Sequence, residues 1–221
     1  MEQERAGDQM LAYYGERAAV YDRVYAYPER QADLAELRTR VAAYFTSRNV
    51  LEVAAGTGYW TTCISQSADQ VNATDMTPEA LSQIHQRNLR CPVSTQVVDA
   101  YQLHTLGQAY DAAFAGLWFS HVLKQDQARW LQGLHSVLHP GARVMMIDNS
   151  EAQNQRFPIV ETDGDGNTFQ LRTTDAGTEY RVLKNFPTPA RLRELLGAQV
   201  VDLTFEQLTH YWLLSYTLRT A

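Results

Sequence analysis

Apolar residues in this chain gather in short runs set between longer stretches in which they recur every three or four positions, a pattern that predicts alternating strands and helices. The first run, 49–53, leads into the small residues Ala54, Ala55, Gly56 and Gly58 and then a helix over 59–67, so it reads as buried strand, tight turn and helix start. Further strands are predicted at 70–75, 93–98, 110–117 and 143–149, with helices over 78–88 and 125–138 between them. A last helix over 188–196 precedes apolar runs at 200–205 and 211–218, which read as a terminal β pair. Ahead of the first strand, residues 9–47 read as two helices joined near Pro28. The first carries Met10, Leu11, Tyr14, Ala18 and Tyr21 at helical spacing, and the second, 32–46, places Leu34, Leu37, Val41 and Tyr44 on one face.

Some residues do not fit a plain packing pattern. Glu52 sits inside an apolar strand, where a carboxylate is costly unless a cation or a hydrogen-bond donor meets it. Tyr13, Tyr14, Tyr21, Tyr25 and Tyr27 crowd the N-terminal segment, as amphipathic caps or as the wall of a binding site. Between 151 and 186 two turns, Asp163 to Asn167 and Asp175 to Gly177, separate strand-like stretches and predict an inserted β-hairpin overhanging the strand ends. Asp163, Asp165 and Asn167 fall at calcium-loop positions, but Thr168 and Thr174 replace the glycine and glutamate such a loop needs.

The turn after the first strand limits the chemistry further. A dinucleotide fold usually takes a third glycine where this chain has Thr61, and no Lys-Ser or Lys-Thr follows to make a phosphate loop. Bare backbone at Ala54, Gly56 and Gly58 still lets a ligand approach the main chain. Asp75 stands 23 residues after Glu52, about where a βαβ unit places an acid to grip two ribose hydroxyls; capping the helix that begins at Thr77-Pro78 is the other use open to it. Glu52, Ala54, Gly56 and Gly58 together resemble the first motif, E/D-x-G/A-x-G-x-G, of the class I S-adenosylmethionine-dependent methyltransferases.

That resemblance extends over nearly the whole chain and implies a Rossmann-like, doubly wound seven-stranded α/β sheet with an antiparallel last strand. It implies one methyltransferase domain over 1–221, with a helical cap at 1–47 and the inserted hairpin at 151–186. S-adenosyl-L-methionine would be held by Glu52, Ala54, Gly56, Gly58, Asp75, Met76, Asp99, Ala100 and Gly116, with Tyr14, Arg17 and Tyr21 folding over it. Asp99 is equally open to a turn or capping role. Substrate would meet Trp118, His121, Asn149, Arg172 and Tyr180, with Arg172 or Lys184 facing a carboxylate, although each charge also suits a solvated strand face. His121 is the candidate general base, with ordering a loop as the alternative. Residues 117–119 lack the Pro-Pro-Tyr signature of nucleic-acid amino methylation, and Ala115, Gly116 and Leu117 stand where metal-dependent relatives carry a ligating aspartate.

Composition removes several partners. With 221 residues, a net charge of -6 and only Lys124 and Lys184 as lysines, the chain suits a single domain that repels phosphate backbones. Cys63 and Cys91 lie in no metal or redox spacing and no histidine pair supports a metal. The polar opening Met1 to Arg5 shows no signal peptide and no run reaches membrane-spanning length, so a cytoplasmic enzyme on a small-molecule N, O, S or C acceptor is expected, with a homodimer left open. The rivals are a nicotinamide-dependent oxidoreductase, disfavoured by Thr61 and the terminal β pair, and a catalytically silent cofactor-binding module.

Overall fold

A computed structural model describes residues 2–220, with the side chains of all but residues 2–8 and 19. The opening Met1 to Arg5, read above as lacking a signal peptide, lies outside those described side chains. Five mutually parallel strands make up the sheet from one edge inward: β1 (Asn49–Val53), β2 (Gln70–Asp75), β3 (Val93–Val97), β4 (Tyr110–Gly116) and β5 (Leu138–Asn149). The terminal pair completes it. Strand β9 (Val200–Gln207) and β10 (Tyr211–Leu218) give the order β3-β2-β1-β4-β5-β10-β9, with β10 antiparallel to both neighbours. Helices cover both faces, which is why β1 and β4 can be apolar almost throughout.

Alternation along the strands sorts side chains between two cores. On one face Leu51, Val53, Val144 and Met146 pack with Trp130, Leu131 and Leu134 of α5 (Gln127–His135) and with Leu192 and Leu196 of α6 (Pro189–Leu196). On the other, Val50, Phe114, Met145 and Ile147 meet Leu34, Leu37 and Val41 of α2 (Gln31–Tyr44) and Trp60 and Ile64 of α3 (Tyr59–Ile64). α4 (Pro78–Ile84) follows β2. No helix among the described residues is long and apolar enough to cross a membrane.

The helices predicted over 59–67, 78–88 and 125–138 end early, at Ile64, Ile84 and His135, and three larger differences from the sequence reading follow. The first helix, α1 (Glu2–Arg17), ends early and the chain tightens into a 3-10 segment over Ala18–Tyr25. Three residues per turn stack Ala18 and Tyr21 along one side. The strand before Asn149 begins at Leu138 rather than 143, taking in Pro140 and Gly141 at a register irregularity opposite Tyr110 and Ala112. Gly141 adopts φ +79° there, and a proline without an N–H is tolerated where ladder bonds are already missing. The insertion folds as a three-stranded antiparallel meander, β6 (Ile159–Thr162), β7 (Thr168–Thr173) and β8 (Glu179–Leu183), joined by the two expected turns. In the first turn Asp163 accepts from the Asp165 and Asn167 backbone and from Asn167 Nδ2, so its carboxylate is used as a turn lock.

Candidate functional site

The carboxyl ends of β1, β2 and β4 open into a cavity of about 870 Å³ roofed by Ala18, Tyr21 and Tyr25. That is within the usual range for a small-molecule site, at the usual place in an open α/β sheet. Two residues other than glycine are forced to positive φ at its edge, Ala54 at +54° directly after β1 and Leu117 at +57° directly after β4. Strain of this kind in both strand-end turns marks the region as shaped for a ligand rather than for stability.

The Gly-rich turn is held from three sides. Ala55 N–H donates to the Thr74 carbonyl at 2.9 Å, and Gly58 N–H to the Ala55 carbonyl at 3.0 Å. Asp75 Oδ2 accepts from Gly56 N–H at 2.9 Å while its Oδ1 accepts from Thr77 N–H at 2.8 Å. Asp75 thus organises both the turn and the entry to α4 while still lining the cavity. Burial pushes its carboxyl above the ordinary value, and the Thr77 and Gly56 N–H groups restrain the rise. The third clamp went unseen in the sequence: Arg87 donates to the Thr57 carbonyl and to Asp22, and Thr57 Oγ1 donates to Asp22 Oδ1, tying turn to roof.

Glycine is needed at two points for different reasons. A Cβ on Gly58, at φ +84°, would lie 2.7 Å from Ile84 Cγ1, so this residue serves packing and does not line the cavity. A Cβ on Gly116 would lie 2.7 Å from Trp60 Cδ1, so the indole rests on bare backbone at the end of β4.

Glu52 is buried and accepts a hydrogen bond from Thr61 Oγ1 at 2.6 Å. The residue that replaces the third glycine is therefore the donor this carboxyl needs. Burial raises Glu52 to about 8 in spite of Thr61, so it is largely protonated at neutral pH. An unfolded chain releases that proton above about 4.3, whereas the folded one keeps it. Glu52 therefore subtracts stability progressively as pH rises from that value to about 8. A glutamine can accept the same bond without this penalty. Glu52→Gln is expected to melt well above the wild-type chain at pH 8 and close to it at pH 4; a gain independent of pH would rule out ionisation as its cause.

The expected cofactor residues Tyr14, Tyr21, Glu52, Ala54, Gly56, Asp75, Met76, Asp99, Ala100 and Gly116 all line the large cavity, as do Trp118 and His121. Asp99 Oδ1 also accepts from Tyr101 N–H at 2.9 Å, a turn role compatible with its place in the wall. Arg17, Asn149 and Arg172 line instead a smaller cavity of about 40 Å³, which shares Tyr14, Tyr21, Leu117 and His121 with the first. Tyr180 lies in neither lining. Its hydroxyl donates to Glu16 Oε2 at 2.9 Å and, with Thr174 Oγ1 on Oε1, fastens the meander to α1. Trp60, Tyr101 and Arg129 complete the large cavity, and the sequence reading did not single them out as site residues. The aromatic after Gly58 was the one available signal.

His121 stands at the neck between the cavities. Its Nδ1 is 2.6 Å from the Leu183 carbonyl, which can only accept, so Nδ1 carries the proton and Nε2 accepts from the Tyr14 hydroxyl at 2.8 Å. Burial and then Lys184 drive its pKa down to about 3, leaving a neutral imidazole. Below it, Lys184 Nζ donates to Asp148 Oδ1 at 2.9 Å, Asn149 Oδ1 at 3.0 Å and Ser120 Oγ at 2.6 Å, joining the end of β8 to the ends of β4 and β5. Among the described residues no group of His, Cys, Asp and Glu is arranged to hold a metal ion.

Residues 50–141 match a family model described as a methyltransferase domain. No curated protein matches the chain. Among solved structures, a DhpI–SAH complex is 24% identical over 99% of each chain with a TM-score of 0.80. A DhpI–SAM–HEP complex is 25% identical over 96% of this chain and 97% of that one, with a TM-score of 0.78. The CcbJ methyltransferase from Streptomyces caelestis is 19% identical over 94% and 98%, with a TM-score of 0.70.

Proposed function

From the premise that this chain belongs to the class I S-adenosylmethionine-dependent methyltransferases, we propose that it methylates a small molecule seated between the two cavities. The observation that carries this reading is the division of charge across the neck. The large cavity is lined by the carboxylates Asp75 and Asp99, by the protonated Glu52 and by the neutral His121, with Arg129 as its single cation among the described residues, while the small one is lined by arginines and Lys184. Such a wall suits a nucleoside bearing a positive sulfur better than the pyrophosphate of a nicotinamide dinucleotide.

Asp75 and Asp99, at neighbouring strand ends, would hold the ribose and the base, with Met76 and Ala100 beside the ring. The bare backbone at Gly56 leaves room that a larger residue would fill. Glu52 and the turn would meet the amino-acid end. Tyr14 and Tyr21 present ring faces that attract a cation. When bound, the cofactor supplies an electrophilic methyl group.

The chain's own contribution is alignment and exclusion of water. Ala18–Tyr25 roofs the site, Trp118 and His121 border the acceptor, and Asn149 and Arg172 stand beyond the neck. At neutral pH the Tyr14–His121 pair is an uncharged, fixed hydrogen bond, and burial keeps the Tyr14 hydroxyl protonated. His121 Nε2 is thus a weak proton acceptor, and most of the acceleration comes from holding donor and acceptor in line. Titration calorimetry tests the reading. S-adenosylmethionine and S-adenosylhomocysteine are expected to bind with one-to-one stoichiometry and NADH not at all; NADH binding without either sulfur compound would replace it with the oxidoreductase.

A further inference from the structure

Among the described residues, three guanidinium groups line the small cavity and no carboxylate does. Arg30 is 5% exposed and Arg172 7%, and Arg17 is partly buried. Their partners among the described residues are all neutral. Arg172 gives Nε and Nη2 to Gln170 Oε1 and lies 3.8 Å over the Phe157 ring, leaving Nη1 without an acceptor. Arg17 donates to the Tyr13 hydroxyl, and Arg30 stacks 4.9 Å over Tyr27 with its Nε unpartnered. The buried Nδ2 of Asn149 also has no acceptor, and Lys184 and Gln153, both donating to that side chain's oxygen, fix the way the amide points.

This deficit is specific to the cavity. Lys184, the fourth cation there, is already matched by Asp148. The acids of the surrounding segments are committed elsewhere: Asp22 to Arg87, Glu29 to Arg156, Asp175 to Arg23, and Asp33 to the His210 N–H. Burying three cations without a counter-charge is costly, and a chain with 25 acids to 19 basic residues has no shortage of carboxylates to place there. Arginine forks match oxyanions in shape as well as charge. A volume of about 40 Å³ admits only the head of such a group.

We propose that the small cavity is an oxyanion subsite, so that the methyl acceptor is a small acid whose carboxylate or phosphoryl-type group is held by Arg30, Arg172 and the Nδ2 of Asn149. The rest of the acceptor reaches through the neck at Tyr14 and His121 toward the methyl donor. The inference rests on reading the large cavity as the donor site, and its test separates the two.

The full chain, free and loaded with S-adenosylhomocysteine, is titrated calorimetrically with acetate, inorganic phosphate and neutral acetamide. At least one anion is expected to saturate while acetamide does not, acetate marking a carboxylic acceptor and phosphate a phosphoryl one. Arg172→Gln and Arg30→Gln are each expected to weaken the anion about 10-fold or more, with affinity for S-adenosylhomocysteine nearly unchanged. Two variants on different elements guard against misfolding of either, and the wild-type titration stands without them. Absence of anion binding, or binding indifferent to both substitutions, overturns the subsite and leaves the donor site intact. Failure of S-adenosylhomocysteine alone overturns the donor site, while titration of the free chain still decides the anion.

Discussion

Asp75→Ala is expected to weaken S-adenosylhomocysteine binding by about 100-fold, the equivalent of about 3 kcal/mol. Two losses combine to give that figure. On the proposed reading the carboxylate accepts from the ligand, and hydrogen bonds to a charged group contribute about 1.5–3 kcal/mol. It also accepts from Gly56 N–H and Thr77 N–H, so its removal leaves two backbone donors without partners and frees the turn on which the ligand rests. Asp75→Asn retains one acceptor oxygen but turns an amide N–H toward one of those donors, and is expected to bind nearly as poorly. Calorimetry on variants shown by thermal melting to be folded checks both. Unchanged affinity in Asp75→Ala would remove this residue from the donor site and with it the ribose role.

Asp75 was legible in the sequence because its signal is local: an acid ending a strand, at a fixed distance from a Gly-rich turn. The same holds for the succession of strands and helices along the chain up to β5, since apolar runs and helical spacing are properties of neighbouring residues. What escaped is the long-range partnering. Nothing near Glu52 shows that Thr61 turns back to meet it. Tyr14 and His121 form one hydrogen-bonded pair across 107 positions. Arg30 was not singled out in the sequence, and it is buried with the rings of Tyr27 and Tyr211, the latter on β10, against its guanidinium. Tyr180 was placed at the substrate because the inserted hairpin was expected to overhang the strand ends. Its ring instead meets Tyr13 and its hydroxyl Glu16, since α1 lies against β8. The oxyanion-facing wall is likewise assembled from α1, the segment before α2, the end of β5 and the meander, four regions no single window spans.

Lys184→Met is expected to cost about 3–5 kcal/mol of stability at pH 7, more than any other single change at the site, because it strands Asp148 as a buried charge without its cation. Lys184 and Asp148 are 1% and 0% exposed, and methionine replaces most of the lysine stem, so charge rather than packing sets the loss. The pH dependence identifies it. In the wild-type chain burial pushes Asp148 upward, but Lys184, His121 and the Ser120 N–H outweigh it and hold the carboxyl below its ordinary value. A depressed acid contributes stability that is present above its unfolded value of about 3.9 and is lost as pH falls through the folded one. Without Lys184, burial is the strongest influence left and the folded value rises above the unfolded one. The sign then reverses. The penalty is absent at low pH, where both states hold the proton, and it grows as pH rises past about 4. Denaturant unfolding is therefore expected to show a gap between wild type and variant that widens from pH 4 to 7, and Lys184→Met combined with Asp148→Asn is expected to recover most of it. A gap that stays flat with pH would assign the loss to packing. Because Lys184 also fixes the Asn149 oxygen, the single variant is expected to lose anion affinity at the small cavity while still binding S-adenosylhomocysteine, which ties the stability of this buried pair to the acceptor side of the neck and not to the donor side.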